Sequence, residues 1–132
     1  MATTVGSDER KRILFSDDEL DLGKAMKLHW ESEGYEVYLA PGAVEALEVA
    51  RSWQPDLVVT DLWKFGADGG QQLLRWLKAD KQTEHIPVLV LSAGCNNPAT
   101  RQEVLDAGAW AAWSKPFDPR ELLPAIRDLL GG

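Results

Sequence analysis

Four short, uninterrupted apolar runs recur along the chain, and each stops at polar residues. Ile13-Leu14-Phe15 runs into Ser16-Asp17-Asp18-Glu19, and Leu57-Val58-Val59-Thr60 into Asp61. Val88-Leu89-Val90-Leu91 runs into Ser92-Ala93, and the weaker Ala111-Ala112-Trp113 into Ser114-Lys115-Pro116. Continuous runs of this length suit strands covered on both faces, the habit of parallel sheets. Tyr35-Glu36-Val37-Tyr38 alternates instead, which predicts an edge strand.

Helical patterns separate the runs. Leu22, Ala25, Met26 and Trp30 are expected on one face of the first helix, Ala43, Ala46, Leu47 and Ala50 on one face of the second. Leu73, Leu74 and Leu77 mark the third, and Val104 and Leu105 a less distinct fourth before Ala107-Gly108. The fifth starts at Asp118 as N-cap, with Pro119 at the first helical position and Glu121 closing a capping box. Its stripe is Leu122, Leu123, Ile126 and Leu130, and Gly131-Gly132 stop it. Five strand–helix repeats imply a doubly wound α/β fold, a parallel sheet with helices on both faces.

At 132 residues the chain suits one domain, expected over 12–132 behind a loose, polar arm at 1–11. No further element is expected after the fifth helix, so the reading is of a stand-alone domain. The single Cys95 excludes an internal disulfide framework and suits a reducing cytoplasm. A net charge of −7 without a basic stripe argues against a nucleic-acid partner. No apolar run reaches the roughly 20 residues that cross a bilayer, and the start lacks a signal peptide's apolar stretch. No membrane partner is therefore expected.

Sheets of this class bind ligands beyond the carboxyl ends of their strands. One common strand order, 2-1-3-4-5, makes the first and third strands neighbours, so that Asp17, Asp18 and Asp61 converge. Ser92 and Lys115 then flank them from the fourth and fifth strands. Clustered carboxylates repel one another, and Mg²⁺, a hard ion that takes carboxylate, water and phosphate oxygens, would relieve that repulsion. Such a site suits transfer of a phosphoryl group to a carboxylate, giving an acyl phosphate. The plainer alternative for Asp17-Asp18 is capping of the first helix.

The set of strand ends resembles the receiver domains of bacterial two-component response regulators, of the single-domain kind found in chemotaxis. The pieces that carry the resemblance are ILFSDDE (13–19), PDLVVTD (55–61), IPVLVLSA (86–93) and GA…SKPF (108–117), in order over roughly Arg12 to Leu130. The resemblance implies a flavodoxin-like fold, and the order 2-1-3-4-5 is the one receivers themselves exemplify. It implies Asp61 as phosphoacceptor, with Asp17, Asp18, Asp61 and the backbone carbonyl of Trp63 as Mg²⁺ ligands. Ser92 and Lys115 would bind the phosphoryl group, and Pro116 would follow a cis peptide. The donor would be a histidine kinase or a histidine phosphotransfer protein, and output would pass through contacts with a downstream protein. The domain is not expected to be an enzyme beyond Mg²⁺-dependent self-phosphorylation from small phosphodonors and autodephosphorylation.

Three departures stand out. The segment LWKFGADGG after Asp61 carries Phe65 where the family usually has proline, in a loop one residue longer. Trp63 has two readings, a ring over the phosphoryl site or one packed on the third helix; Trp76 is either an exposed partner patch or a ring lying on its own helix. Ala112, three residues before Lys115, replaces the family's usual Tyr or Phe, whose ring changes position on activation. Trp110 is one ring that would take its place. Trp30 and Trp113 are expected in packing, His29 in a structural role and His85 in a solvated loop. A pseudo-receiver, an interaction module independent of phosphorylation, is the rival; a flavin protein is disfavoured because aspartates follow the first strand where a phosphate loop is needed.

Overall fold

Parallel neighbours cannot be joined by a tight turn, so each strand here is followed by a helical crossover. The computed structural model describes residues 10–17, 20–60, 69–114 and 118–131. The strands are β1 (Arg12–Ser16), β2 (Glu36–Ala40), β3 (Leu57–Thr60), β4 (Val88–Leu91) and β5 (Ala111–Trp113). They alternate with α1 (Leu20–Ser32), α2 (Ala43–Trp53), α3 (Gly69–Ala79), α4 (Pro98–Asp106) and α5 (Pro119–Leu130). A 3₁₀ turn at Ala93–Asn96, which the sequence reading did not anticipate, precedes α4. The sheet order is β2-β1-β3-β4-β5 with every neighbouring pair parallel, as expected.

Alternation along the strands divides the core into two layers. Ile13, Phe15, Leu57, Val59, Leu89 and Leu91 point to the α1/α5 side, where Met26, Trp30, Leu122 and Ile126 meet them. Leu14, Val58, Val88 and Val90 point to the opposite side, against Ala46, Ala50, Leu73, Leu77 and Val104. β3 and β4 are buried along their whole length, whereas β2 exposes Glu36 and Tyr38, the pattern of an edge. Trp30 is fully enclosed, its ring 5.6 Å from that of Phe15 in a tilted contact.

One expectation needs correction. Ala25 is exposed, and Gly23 takes the inward position instead, because residues 23, 26 and 30 form the i, i+3, i+7 row that faces the sheet. Leu39 lines that spot: a Cβ on residue 23 would stand 3.5 Å from its methyls, an ordinary contact. Trp76, which had two readings, is half-buried. The arm expected over 1–11 lies outside the described residues except for Arg10 and Lys11. The carbonyl of Lys11 already accepts the Glu36 N–H at 2.9 Å.

The helix starts follow local chemistry. Asp118 Oδ1 accepts the Arg120 N–H at 2.9 Å, and Asn97 Oδ1 accepts the Ala99 N–H at 2.8 Å ahead of Pro98. At the amino edge of the sheet, Lys78 Nζ donates to the carbonyls of Glu84 at 3.0 Å and Ile86 at 2.7 Å. Among the described residues, no helix is long and apolar enough to cross a membrane.

Candidate functional site

The carboxyl ends of the strands form one edge, and register decides which side chains share it. Ser16 of β1 lies opposite Thr60 of β3, Thr60 opposite Val90 of β4, and Leu91 opposite Trp113 of β5. The residues that follow these strands in the sequence are Asp17, Asp61, Ser92 and Ser114. The strands that the sequence continues into Asp17 and Asp61, β1 and β3, are therefore adjacent, as the expected strand order requires.

Asp17 is only 6% exposed, and its N–H is anchored on the Ala40 carbonyl at 3.2 Å. Its neighbours in a small pocket are Phe15, Gly23, Leu39 and Pro41. Apolar walls of this kind lower the local dielectric and strengthen a carboxylate's attraction to a cation. Ser92 is fully buried; its N–H donates to the Trp113 carbonyl at 3.0 Å, and its own carbonyl accepts the Cys95 N–H at 3.0 Å. Ser92 thereby ties β4 to β5 on one side and to the 3₁₀ turn on the other.

Asp118 lies just beyond the β5 end of the edge. Hydrogen bonds from the Arg120 guanidinium and N–H hold its carboxyl below the usual range, and the charge of His29 on α1 adds to the effect. His29 is half-buried, consistent with a structural place, and His85 is exposed in the turn before β4. Asp18, Asp61, Trp63, Lys115 and Pro116 lie outside the described residues, as does Phe65.

Ala112 is buried against Val90 and Val104 in the α2/α3/α4 layer. Trp110 does not enter that layer. It precedes β5 at the amino edge of the sheet, its N–H on the Val88 carbonyl at 2.8 Å and 39% of its surface exposed. Trp113 is half-buried on the opposite, α1/α5 side. Two features of the site escaped the sequence reading. One is the Ser92–Cys95 turn, which leaves no periodic signal. The other is the start of α4 at Asn97-Pro98, which repeats the cap-then-proline signal of Asp118-Pro119 and was legible.

In chemical terms the edge presents a buried carboxylate beside the strand that runs into a second one. A hydroxyl-bearing residue follows on the next strand. Hard oxygen donors in this setting suit a divalent cation such as Mg²⁺.

Comparison with known proteins agrees with this geometry. The family described as response regulator receiver domain matches residues 13–127. The probable transcriptional regulator ycf29 of Pyropia yezoensis is 33% identical over 119 residues, 90% of this chain and 53% of its own length. The polar-differentiation response regulator DivK of Brucella ovis is 29% identical over 90% of this chain and 94% of its own. The chain thus spans about half the length of the first of these relatives and nearly all of the second. Among solved structures, chemotaxis response regulator CheY4 of Vibrio cholerae superposes with a TM-score of 0.82 at 25% identity, covering 91% of this chain and 98% of that one. A CheY-like receiver domain protein from Methanospirillum hungatei superposes at 0.81 with 31% identity, covering 93% and 95%. From its strand order, its carboxyl-edge residues and a match over residues 13–127, the chain belongs to the response regulator receiver domains of two-component signalling.

Proposed function

We infer that the domain accepts a phosphoryl group on Asp61 from a histidine kinase or a histidine phosphotransfer protein, and signals through protein contacts. The observation that carries this reading is the Ser16–Thr60 register, which sets the buried Asp17 beside the strand that continues into Asp61. In the transfer, an Asp61 carboxylate oxygen forms the new bond to phosphorus, the bond from phosphorus to the donor's imidazole nitrogen breaks, and that nitrogen is left to take up a proton. Asp17, Asp18, Asp61 and the Trp63 carbonyl would hold Mg²⁺, which neutralises phosphoryl oxygens when bound. Ser92, anchored through its backbone at the end of β4, would hydrogen-bond the phosphoryl group, and Lys115, beyond Ser114, would pair with its charge. The curated relatives include proteins named as transcriptional regulators and as a polar-differentiation regulator, so the output of this domain is a separate question from its chemistry.

The test is labelling by acetyl phosphate in the presence of Mg²⁺, followed by acid-stable mass analysis, with tryptophan fluorescence recorded during Mg²⁺ titration. The native protein should gain one phosphoryl group and respond near millimolar Mg²⁺, whereas Asp61→Asn should gain none and remain at least as stable. Loss of one of several clustered charges relieves repulsion, which sets the sign of the stability change. Undiminished labelling of the variant moves the acceptor elsewhere. No labelling of the native protein and no Mg²⁺ response would instead identify a pseudo-receiver, the outcome that Ala112 favours.

A further inference from the structure

Two hydroxyls sit in an unusual place at the carboxyl edge. Ser16 and Thr60 are both 0% exposed, and neither Ser16 Oγ nor Thr60 Oγ1 has a hydrogen-bond partner among the described residues. They are register partners on adjacent strands. Because Leu14 and Val58 point into the α2/α3/α4 layer, the alternation sends Ser16 and Thr60 to the same side. The two groups therefore stand next to each other, without touching, at the last paired position before Asp17 and Asp61. The small side chains of Ala40, register partner of Ser16, and of Ala46 belong to the same layer.

A buried hydroxyl with no partner loses its hydrogen bonds to water and regains nothing, a net cost for each group. Two such groups side by side at the end of a sheet are an expensive arrangement in an otherwise apolar layer. Interior waters occupy positions of this kind, where two or more polar groups converge. We propose that Ser16 and Thr60 form an internal hydration site that binds a single long-lived water between β1 and β3. The water accepts from one hydroxyl and donates to the other, and it pins together the two strand ends from which the aspartates emerge. The inference stands on the described core and does not depend on phosphorylation.

The experiment is a double-mutant cycle in the intact chain, with Ser16→Ala and Thr60→Val, read by urea unfolding, together with water–protein Overhauser contacts to the residue 16 and residue 60 side chains. Each single substitution should raise the unfolding equilibrium constant about fivefold, and the double variant should fall well short of the product of the two, since one water serves both groups. Contacts to a long-lived water should be present in the native protein, persist in Thr60→Ser, and vanish in Thr60→Val. A neutral or stabilising Thr60→Val would show that the hydroxyl has no partner at all. Coupling between the two sites without a water contact would show a direct bond between the hydroxyls. Either result overturns the proposal.

Discussion

Replacing Gly108 with alanine tests how the amino edge of the sheet is held, away from the proposed site. Gly108 follows α4 with φ of +110°, a conformation that residues with a Cβ rarely adopt. An added methyl would stand 3.0 Å from Lys78 Cγ and 3.4 Å from Cδ. Lys78 has little freedom to retreat, because its ammonium is held by the carbonyls of Glu84 and Ile86. Burial already lowers the pKa of that ammonium, so breaking those bonds would leave a poorly solvated charge. Backbone strain of this kind is worth roughly 1–3 kcal/mol, and a displaced stem adds on the order of 1 kcal/mol. A total of about 2–4 kcal/mol corresponds to a fall in Tm of about 8–16 °C for a domain of this size. Calorimetry measures the fall directly. Adding Lys78→Ala should make the alanine at 108 less costly than it is alone, because the crowding atoms are gone. The Mg²⁺ response should be unchanged, since Lys78 and Gly108 sit at the opposite edge from Asp17. A Tm within 2 °C of the parent, or a cycle with no coupling, would refute the steric argument.

Three further outcomes are expected. If the Trp63 ring covers the phosphoryl group, Trp63→Asn should shorten the half-life of the acyl phosphate, measured by loss of label; an unchanged half-life places the ring elsewhere. Ala112 has no rotamer to change and Trp110 lies outside its layer, so activation should be weakly coupled to the surface around α4 and β5. A beryllofluoride phosphoryl mimic should therefore alter partner affinity by less than ~1.4 kcal/mol, or tenfold. Amide-exchange changes should stay in the loops after β3 and β4 rather than spread through residues 97–113. Finally, Arg120 depresses the Asp118 carboxyl, so its contribution is present above the ordinary value of 3.8 and is lost as pH falls through the lower folded value. Asp118→Asn, which keeps an acceptor for the helix N-terminus, should flatten the acid limb of a stability–pH profile; an unaltered limb counts against the Arg120 pairing.

Much of the molecule was legible because its signals are local. Four apolar runs, one alternating segment and their helical spacers needed only periodicity, and the capping of α5 needed only Asp118-Pro119. The stripes of α3 and α5 were recovered residue for residue among those named. The misreading arose where a helix's inward direction depends on its neighbour. Ala25 and Gly23 are equally compatible with an apolar stripe, and the phase at which α1 packs on the sheet, with Met26 and Trp30 inward, decides between them.

The sequence by itself determined that the chain is a doubly wound α/β domain and that polar residues gather at the ends of its strands. Both follow from side-chain period and chain direction, which a linear text records. Only the tertiary structure decided which ends are neighbours. The pairing of β1 with β3 brings Ser16 to Thr60, and that register is set by packing across two core layers rather than by any local preference. It likewise decided the fate of Ala112 and Trp110. Ala112 is the buried centre of the three-residue β5, whereas Trp110 precedes that strand and stays at the amino edge of the sheet, because only the layered sheet defines an inside for a residue to face.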